Sequence, residues 1–418
     1  MKNFVSLVGM LTLIFIGWLI SENRKKILWK TIIWGTLLQV ILGIIVLKTP
    51  PGRLFFEFFN KMFIVLVSFA DRGAEFIFGE LVTNTDKFGY IFAFKVLPTI
   101  IFFSAFISIL YYFGIMQFIV ELFARVMVKT MGTSGAETLC CSANIFVGQT
   151  EAPLLVRPYI ANMTRSELLA VMTGGMATIA GGVMAAYVSL LKNYIPDIAG
   201  HLMTASVMSA PAALVFSKLL VPETEEPQTL GHVKVKYEKT DANVIEAIAN
   251  GTTVGLRLAV NVGAMLISFM ALLYLANYLL SFLGNFLPFS FTKNITFDKL
   301  FGIFFAPLSW LLGVDTKDIF IAGQLIGQKT FFNEFVAYAN WAQMYSTNPN
   351  VVSYRTAVIL SYALCGFSNF LSIGIQIGGI GAIAPQRKST LAQLGIKALI
   401  AGTLACLQTA TVAGFLLT

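Results

Sequence analysis

Two glutamates lie inside apolar stretches of this sequence. Glu151 is at the centre of residues 142–158, and Glu334 occupies a similar position within residues 319–342. An ionised side chain is costly in a hydrocarbon environment, and where one is kept it usually serves binding or transport. Because a carboxylate accepts hydrogen bonds, we expect both glutamates to bind a ligand that carries hydroxyl or N–H groups.

Amide and hydroxyl side chains accompany both glutamates. Gln149 and Thr150 directly precede the first glutamate, Asn333 directly precedes the second, and Asn369 lies in a later apolar segment. Two carboxylates with several amides suit a neutral molecule that is rich in hydrogen-bond donors. At the two polar tips only Lys329 supplies a cation, so a phosphate or a nucleotide is a poor candidate for the ligand.

Each of these side chains also has a structural interpretation. Either glutamate could cap a helix or pair with a nearby arginine such as Arg157. The amides of Gln149, Asn333 and Asn369 could hold neighbouring helices together, which is a common role for amides in membranes. The presence of two such stretches in one chain favours the ligand role for the glutamates, whereas both interpretations of the amides remain open.

A second group of oxygen atoms could bind a small, hard cation. Sodium prefers hard oxygen ligands, and a broken helix frees backbone carbonyls to act as such ligands. Asn144 and the carbonyl of Val147 supply part of this set, and Thr178 with the adjacent carbonyl could complete it. Alternatively, Asn144 could cap a helix and Thr178 could bond back to its own helix. Neither side chain titrates near neutral pH, which favours sodium over a proton as the bound ion.

The stretches that carry the glutamates are unsuited to uninterrupted membrane helices. In the first, Gly148 ends a helix easily, and Pro153 suits the first turn of a new one. In the second, Gly323 and Gly327 precede the polar pair at 333–334. Non-helical backbone at membrane depth is tolerated only where it is buried in protein or lines a cavity. We therefore predict two pairs of half-helices, each meeting at a polar tip that faces a ligand.

The composition identifies the class of protein. Of 418 residues, 57% are hydrophobic and 12% are charged, against roughly 25% charged residues in an average soluble domain. The mean hydropathy of +0.78 and the long apolar runs predict a polytopic membrane protein in contact with lipid. The net charge of +8 comes from lysines and arginines between apolar runs, which indicates cytoplasmic turns and argues against a nucleic-acid partner.

The apolar runs predict an all-α polytopic membrane protein with eight transmembrane helices. The expected spans are Val5–Ile20, Ile32–Leu47, Phe92–Tyr112, Glu167–Leu191, Ile198–Leu220, Thr252–Leu280, Val358–Ile383 and Leu391–Leu417. Interfacial helices are expected at Leu54–Ala70, Met116–Met131 and Leu300–Leu312. A surface helix, a broken stretch with a glutamate and a span rich in small or polar residues follow one another twice, which indicates an inverted-repeat secondary transporter.

The basic turns predict the orientation of the chain. Residues 24–26, 234–239 and 387–388 are expected in the cytoplasm, because lysine and arginine are enriched in cytoplasmic loops. Both termini then lie outside, in the periplasm of a bacterium. The polar segment Pro222–Asn243 is expected to be a cytoplasmic linker. No small-residue cleavage site follows the first span, so a cleaved signal peptide is not expected.

Three motifs closely resemble those of the concentrative nucleoside transporters. They are Asn-Ile-Phe-Val-Gly-Gln-Thr-Glu-Ala-Pro at 144–153, Asn-Glu-Phe-Val-Ala-Tyr at 333–338 and Cys-Gly-Phe-Ser-Asn at 365–369, and the resemblance covers nearly the whole chain. It implies a bacterial-type homotrimer in the inner membrane, with eight spans, two re-entrant hairpins and three interfacial helices in each subunit. It also implies a scaffold and trimerisation region at 1–115 and 244–296. The transport region, at 116–243 and 297–418, would carry one hairpin in each half and move like an elevator.

The resemblance also assigns roles to individual residues. The residues expected to contact the nucleobase are Gln149, Thr150, Glu151 and Val183. Those expected to contact the ribose are Glu334, Asn369 and Ser372, with Phe367 near both sugar and base. The sodium site maps onto Asn144, Val147, Thr178 and Ile179. Proton-coupled members of the family tend to lack the first of these residues, which this chain keeps.

The function implied is sodium-driven nucleoside import by a secondary active symporter. Sodium is then a coupling ion, and no prosthetic group or catalytic residue is expected. A proton-coupled symporter is the alternative, because Glu151 could carry a proton. An intramembrane enzyme that used Glu151 and Glu334 as an acid–base pair is disfavoured, because the chain lacks a His-Glu-x-x-His motif or a paired-aspartate arrangement. A passive channel is a further alternative.

Overall fold

The computed structural model describes residues 2–231, 241–285 and 296–417, and nearly all regular elements in them are helices. The first twelve helices are α1 (Lys2–Leu19), α2 (Trp29–Lys48), α3 (Pro50–Phe78), α4 (Glu80–Thr83), α5 (Thr85–Phe88), α6 (Phe92–Tyr112), α7 (Ile115–Met131), α8 (Gly135–Ala143), α9 (Arg157–Ile160), α10 (Arg165–Ala177), α11 (Gly181–Leu191) and α12 (Ile198–Leu220). The others are α13 (Val244–Asn285), α14 (Phe297–Leu312), α15 (Ile319–Phe331), α16 (Glu334–Thr347), α17 (Tyr354–Ala363), α18 (Phe370–Ile383) and α19 (Lys388–Leu416). One isolated antiparallel bridge joins Ser134 to Leu230.

Seven helical segments of the described chain are long and apolar enough to cross a membrane. They are Lys2–Leu19, Trp29–Lys48, Phe92–Tyr112, Arg165–Leu191, Ile198–Leu220, Val244–Gly284 and Pro385–Leu416, and each overlaps a predicted span. The remaining predicted span, 358–383, corresponds to α17 and α18. These helices have 10 and 14 residues, and about 20 are needed to cross a bilayer alone.

Two segments that the sequence analysis treats as continuous helices are interrupted near their middle. The first interruption lies between α10 and α11, and the second between α17 and α18. They pack against each other, because the Phe367 N–H donates to the Thr178 carbonyl over 3.2 Å. A Cβ on Gly366 would lie 2.9 Å from the Met176 carbonyl oxygen, so this approach requires glycine. The polar residues noted in both spans therefore mark a crossing of two broken helices.

The two predicted polar tips are gaps between consecutive helices. α8 ends earlier than the expected break at Gly148, because Asn144 caps the helix and donates its Nδ2 to the Cys140 carbonyl over 3.0 Å. Pro153 lies in the first turn of a short 3₁₀ helix, as expected. The second gap separates α15 from α16, where the Oδ1 of Asn333 accepts the Val336 N–H over 2.9 Å. Asn333 thus caps α16, a role that the sequence analysis does not predict.

Burial is greatest in the helices that surround these gaps. In the most apolar stretch of α12 all residues are buried, and in that of residues 165–191 the buried share is 94%. In the corresponding stretch of α13 only 17% of the residues are buried. α13 packs against α6 and exposes large apolar side chains such as Ile267 and Leu275. In a membrane, such a surface contacts lipid or another protein chain.

The two termini lie at one end of the helical body. Asn3 donates to the Leu417 carbonyl over 2.8 Å, and Lys2 forms an ion pair with Asp315 at 2.5 Å. The first and last residues of the described chain therefore lie next to each other. This agrees with the expected placement of both termini on one side of the membrane.

The basic turns that the structure describes lie at the opposite end. Glu22, beside the turn at 24–26, pairs with Arg165 at 2.9 Å and with Lys397. Arg387 donates to the Met163 carbonyl over 2.7 Å, which brings the second basic turn to the same end. Burial raises the pKa of Glu22, but the hydrogen bonds from its two cations outweigh this and lower the pKa overall. The third basic turn, 234–239, lies outside the described residues, as does part of the predicted linker.

Candidate functional site

All eight residues predicted for substrate binding line one cavity. They are Gln149, Thr150, Glu151, Val183, Glu334, Phe367, Asn369 and Ser372. The first gap, α11, α16 and the second helix break each contribute part of this wall. The opposite wall is apolar and comes from Leu258, Val262 and Met265 of α13. Tertiary structure thus brings together side chains that are separated by more than 200 positions in the chain.

Glu334 is held by two hydrogen bonds on the polar side of the cavity. Its Oε1 accepts from the Tyr187 hydroxyl over 3.1 Å, and its Oε2 accepts from the Asn369 Nδ2 over 2.8 Å. It is also the first residue of α16, where free N–H groups and the helix dipole stabilise negative charge. The side chain is 3% exposed, so these contacts replace most of its hydration. The carboxylate is therefore oriented before any ligand binds.

Backbone contacts determine how the Asn369 amide is oriented. Its Oδ1 accepts the Ser372 N–H over 2.9 Å at the start of α18. The amide nitrogen therefore faces Glu334, and its carbonyl oxygen is used in the cap. Asn369 joins α18 to α16 and also lines the cavity, so contact between helices and ligand binding are compatible for this amide.

Gln149 belongs to a second group of amides. Its Nε2 donates to the Ser372 Oγ over 3.2 Å, and its Oε1 accepts from Gln376 over 3.0 Å. Gln376 also donates to the Met172 carbonyl over 2.9 Å. The first gap is thereby connected to both broken helices, α10–α11 and α17–α18.

Glu151 faces the cavity without a cationic partner. Within the described part of the chain it forms no ion pair with Arg157, so that structural interpretation is wrong. Its carboxylate folds back over Gly148, where a Cβ would collide with the Oε2 atom. Gly148 leaves space for this conformation of the Glu151 side chain, and its backbone is not left-handed. The carboxylate remains available as a hydrogen-bond acceptor.

The predicted ion ligands lie at the ends of two helices. Both local interpretations are correct: Asn144 caps α8, and the Thr178 Oγ1 donates to the Gly174 carbonyl over 2.9 Å. The Oδ1 of Asn144 is nevertheless buried and has no hydrogen-bond partner among the described residues. Buried acceptors normally have a partner, and a hard cation suits this oxygen.

Backbone hydrogen bonds bring the two sets of ion-ligand candidates together. The Gly181 N–H donates to the Phe146 carbonyl over 2.8 Å, which joins the segment 144–147 to the break that contains Thr178 and Ile179. Ser206 occupies the neighbouring Ile145 carbonyl over 2.9 Å. The amide, hydroxyl and carbonyl oxygens of this region are therefore ligands of the kind that a sodium ion prefers.

Three family profiles match most of the chain. A profile described as the N-terminus of Na⁺ dependent nucleoside transporters matches residues 8–81, and one described as nucleoside recognition matches residues 93–194. A profile of the C-terminus of Na⁺ dependent nucleoside transporters matches residues 201–414. The chain belongs to the Na⁺-dependent, concentrative nucleoside transporter family. The family predicted from the three motifs is confirmed.

Relatives in the nucleoside transporter family match this chain over nearly its full length. An uncharacterized transporter of Haemophilus influenzae is 45% identical over 99% of this chain and 98% of its own length. Sodium/nucleoside cotransporter 1 of Rattus norvegicus is 40% identical over 99% of this chain, which spans only 63% of that longer protein. CNTnw, in an inward-facing substrate-bound state, is 42% identical, with a TM-score of 0.91 and coverage of 99% of this chain and 98% of CNTnw.

Membership of the nucleoside transporter family establishes several coarser points. The chain is a multi-pass, helical membrane protein, and the relatives that match it are transporters. The family description names sodium dependence, which implies sodium as the coupling ion of the family.

Two residues of this nucleoside transporter site are missed by the sequence analysis. Tyr187 holds Glu334, and its ring stacks on Tyr338 with centroids 4.0 Å apart. Gln376 holds Gln149 from α18. A hydroxyl and an amide inside apolar helices are weak signals for such roles, because each is also common as a contact between helices.

Proposed function

We propose that this protein is a secondary active symporter that imports nucleosides across the bacterial inner membrane, driven by a sodium gradient. The observation that carries this proposal is the convergence of Glu151, Glu334 and their amide neighbours on one cavity. Among the described residues that line it, none is a lysine, arginine or histidine. Such a lining favours a neutral ligand rich in hydroxyl and N–H donors over a phosphorylated one.

We assign the lining residues to two halves of the site, one for each part of a nucleoside. The base half contains hydrogen-bond donors and acceptors beside an apolar side chain, a combination that suits a nucleobase. Its residues are Gln149, Thr150, Glu151 and Val183. The ribose half combines the oriented carboxylate of Glu334 with Asn369 and Ser372, which suits two ribose hydroxyls, and Ser372 adjoins the base half through its contact with Gln149. Phe367 also lines the cavity, and we assign it an apolar contact with both parts.

We assign the coupling sodium to Asn144, Val147, Thr178 and Ile179. The orphaned Oδ1 of Asn144 supports this assignment. The membrane potential alone cannot concentrate a neutral nucleoside, whereas one co-transported cation gains about 2.3 kcal/mol per 100 mV. That free energy corresponds to roughly fifty-fold accumulation of the nucleoside.

We propose transport without catalysis. An acid–base mechanism would need both glutamates to exchange protons with a substrate. Glu334 is already engaged by Tyr187 and Asn369, which suits a binding role. Uphill accumulation of unmodified nucleoside by the reconstituted protein would exclude both an enzyme and a passive channel.

We further propose a homotrimer with elevator-type alternating access. Residues 1–115 and 244–296 form the scaffold, and 116–243 and 297–418 form the transport region with its two re-entrant hairpins. The eighth crossing is the α17–α18 pair. The exposed apolar face of α13 supports a contact with other subunits or lipid, and its inner face lines the cavity. In this arrangement the site would slide along α13.

The decisive experiment is uptake of labelled uridine by liposomes that contain the protein. We expect an inward sodium gradient at constant pH to drive uptake, and Asn144→Ala to abolish the stimulation by sodium. Asn162→Ala is the matched control, because Asn162 is an exposed asparagine outside the cavity. Uptake that ignores sodium but responds to an acid-outside gradient would contradict the assignment.

A further inference from the structure

Gln376 contacts the candidate site from behind its polar wall. It does not line the cavity, and its side chain is fully buried in α18. It donates to the Met172 carbonyl over 2.9 Å and to the Gln149 Oε1 over 3.0 Å. Gln149, in contrast, lines the cavity and is connected to Ser372 on the cavity side.

These contacts determine which end of each amide carries the nitrogen. A backbone carbonyl can only accept, so the NH₂ of Gln376 must face Met172. The same NH₂ group lies next to Gln149, which must therefore present its carbonyl oxygen to Gln376. The NH₂ of Gln149 is left on the side of Ser372. The orientation of the Gln149 amide thus follows from a backbone group of α10.

Gly175 allows both amides to lie close to α10. A Cβ on Gly175 would lie 2.7 Å from the Cβ of Gln149 and 2.7 Å from the Nε2 of Gln376. Glycine at this position allows both amides to approach α10 side by side. A free glutamine in the cavity could turn over and offer either a donor or an acceptor to a ligand. Here the Oε1 of Gln149 already accepts a hydrogen bond from Gln376.

We propose that Gln376 is a positioning residue that fixes Gln149 as a hydrogen-bond donor and thereby helps to select the nucleobase. The inference rests on the proposed nucleoside function. The base must then present an acceptor, such as a ring carbonyl or a ring nitrogen, to Gln149. In the ribose half, Ser372 accepts a hydrogen bond from Gln149, but the carboxylate of Glu334 is oriented by Tyr187 and Asn369 and does not depend on Gln376.

A double-mutant cycle on uridine uptake tests this role. We expect Gln376→Met to raise the KM for uridine about tenfold, the effect of one lost hydrogen bond, with the number of folded molecules unchanged. In a Gln149→Ala background the same change should have no further effect, because the residue acts through Gln149. The KM ratio of 3′-deoxyuridine to uridine, which reports the contact between Glu334 and the ribose hydroxyls, should not change in Gln376→Met.

The matched control is Gln39→Met. Gln39 is also fully buried and also donates to one backbone carbonyl and one side chain, Met208 and Thr409, but it does not line the cavity. We expect the KM of this variant to remain near that of the wild type. An equal rise in both variants would assign the effect to general packing and overturn the proposal.

Gln376→Glu serves if the methionine variant does not fold. Its carboxylate presents acceptors to Gln149 and should turn that amide over, so the KM for uridine should again rise about tenfold. An unchanged KM, or effects of Gln149→Ala and Gln376→Met that simply add, would overturn the positioning role while uptake by the wild type persists. Wild-type protein that takes up no nucleoside would instead overturn the proposed function, and this inference with it.

Discussion

Glu334 is the residue whose surroundings are most completely specified. Two donors, the N-terminus of α16 and near-complete burial all favour a fixed carboxylate. A ligand hydroxyl that binds there gains a charge-assisted hydrogen bond without any rearrangement of the side chain.

We expect Glu334→Gln and Glu151→Gln each to reduce nucleoside uptake by about ten- to 150-fold. The amide keeps the shape but replaces one acceptor with a donor, and a charge-assisted bond is worth roughly 1.5–3 kcal/mol. Glu121→Gln is the control, because Glu121 pairs with Arg125 on the outside of α7. Uridine uptake at fixed protein density is the measurement. Near-normal uptake by both site variants would show that the two carboxylates are structural.

Tyr187→Phe should raise the KM for uridine about five- to tenfold without loss of folded protein. The ring keeps its stacking on Tyr338, while Glu334 loses one donor worth about 1 kcal/mol. Tyr338→Phe is the control, since its hydroxyl contacts the Ser361 carbonyl instead of Glu334. Equal effects of the two substitutions on KM would count against a specific role for the Tyr187 hydroxyl.

At the scale of elements, the crossing of the two broken helices organises the site. Each break frees backbone groups and starts a new helix that contributes residues to the cavity wall, Val183 in α11 and Ser372 in α18. Asn369 and Ser372 open α18, and Gly181 connects the start of α11 to the Phe146 carbonyl. The breaks are stabilised by contact with one another, which explains why they persist at membrane depth.

Gly366→Ala is expected to destabilise this crossing. The added Cβ would lie 2.5 Å from the Cys406 Sγ and 2.9 Å from the Met176 carbonyl oxygen, and overpacking of this kind costs about 1–3 kcal/mol. Gly374→Ala, in α18, meets nothing within 4 Å and should be neutral or stabilising. Thermal unfolding in detergent measures both. A Gly366→Ala protein as stable as the Gly374→Ala protein would contradict the requirement for close contact.

At the scale of the whole molecule, both termini lie at one end and the described basic turns lie at the other. We propose that the basic end is cytoplasmic and that the termini lie in the periplasm, because lysine and arginine are enriched in cytoplasmic loops. All four native cysteines are buried, so single exposed cysteines can report this orientation in cells.

A membrane-impermeant maleimide should label Asn350→Cys in intact cells, because the α16–α17 loop lies at the end that holds the termini. Lys25→Cys and Lys388→Cys should be labelled only after permeabilisation. Each of the three positions is exposed. Labelling of Lys388→Cys in intact cells would contradict the proposed orientation and indicate the reverse one.

The sequence alone determined the class of protein and the identity of most residues at the site. Carboxylates in apolar segments are costly, so Glu151 and Glu334 are recognisable without a structure. The motif at 144–153 also carries the family, because its polar residues follow one another directly. These signals depend only on residues that are neighbours in the sequence, so they can be read without a structure.

Only the tertiary structure decided how these residues act on one another. Hydropathy reports whether a residue avoids water, but it does not identify the partner of an amide 227 positions away, as Gln376 is from Gln149. It also hides the break at 364–369, because apolar residues flank a short polar interruption and the whole segment resembles one span. The orientation of each amide and each carboxylate depends on backbone groups of other helices, and such contacts exist only once the helices have packed.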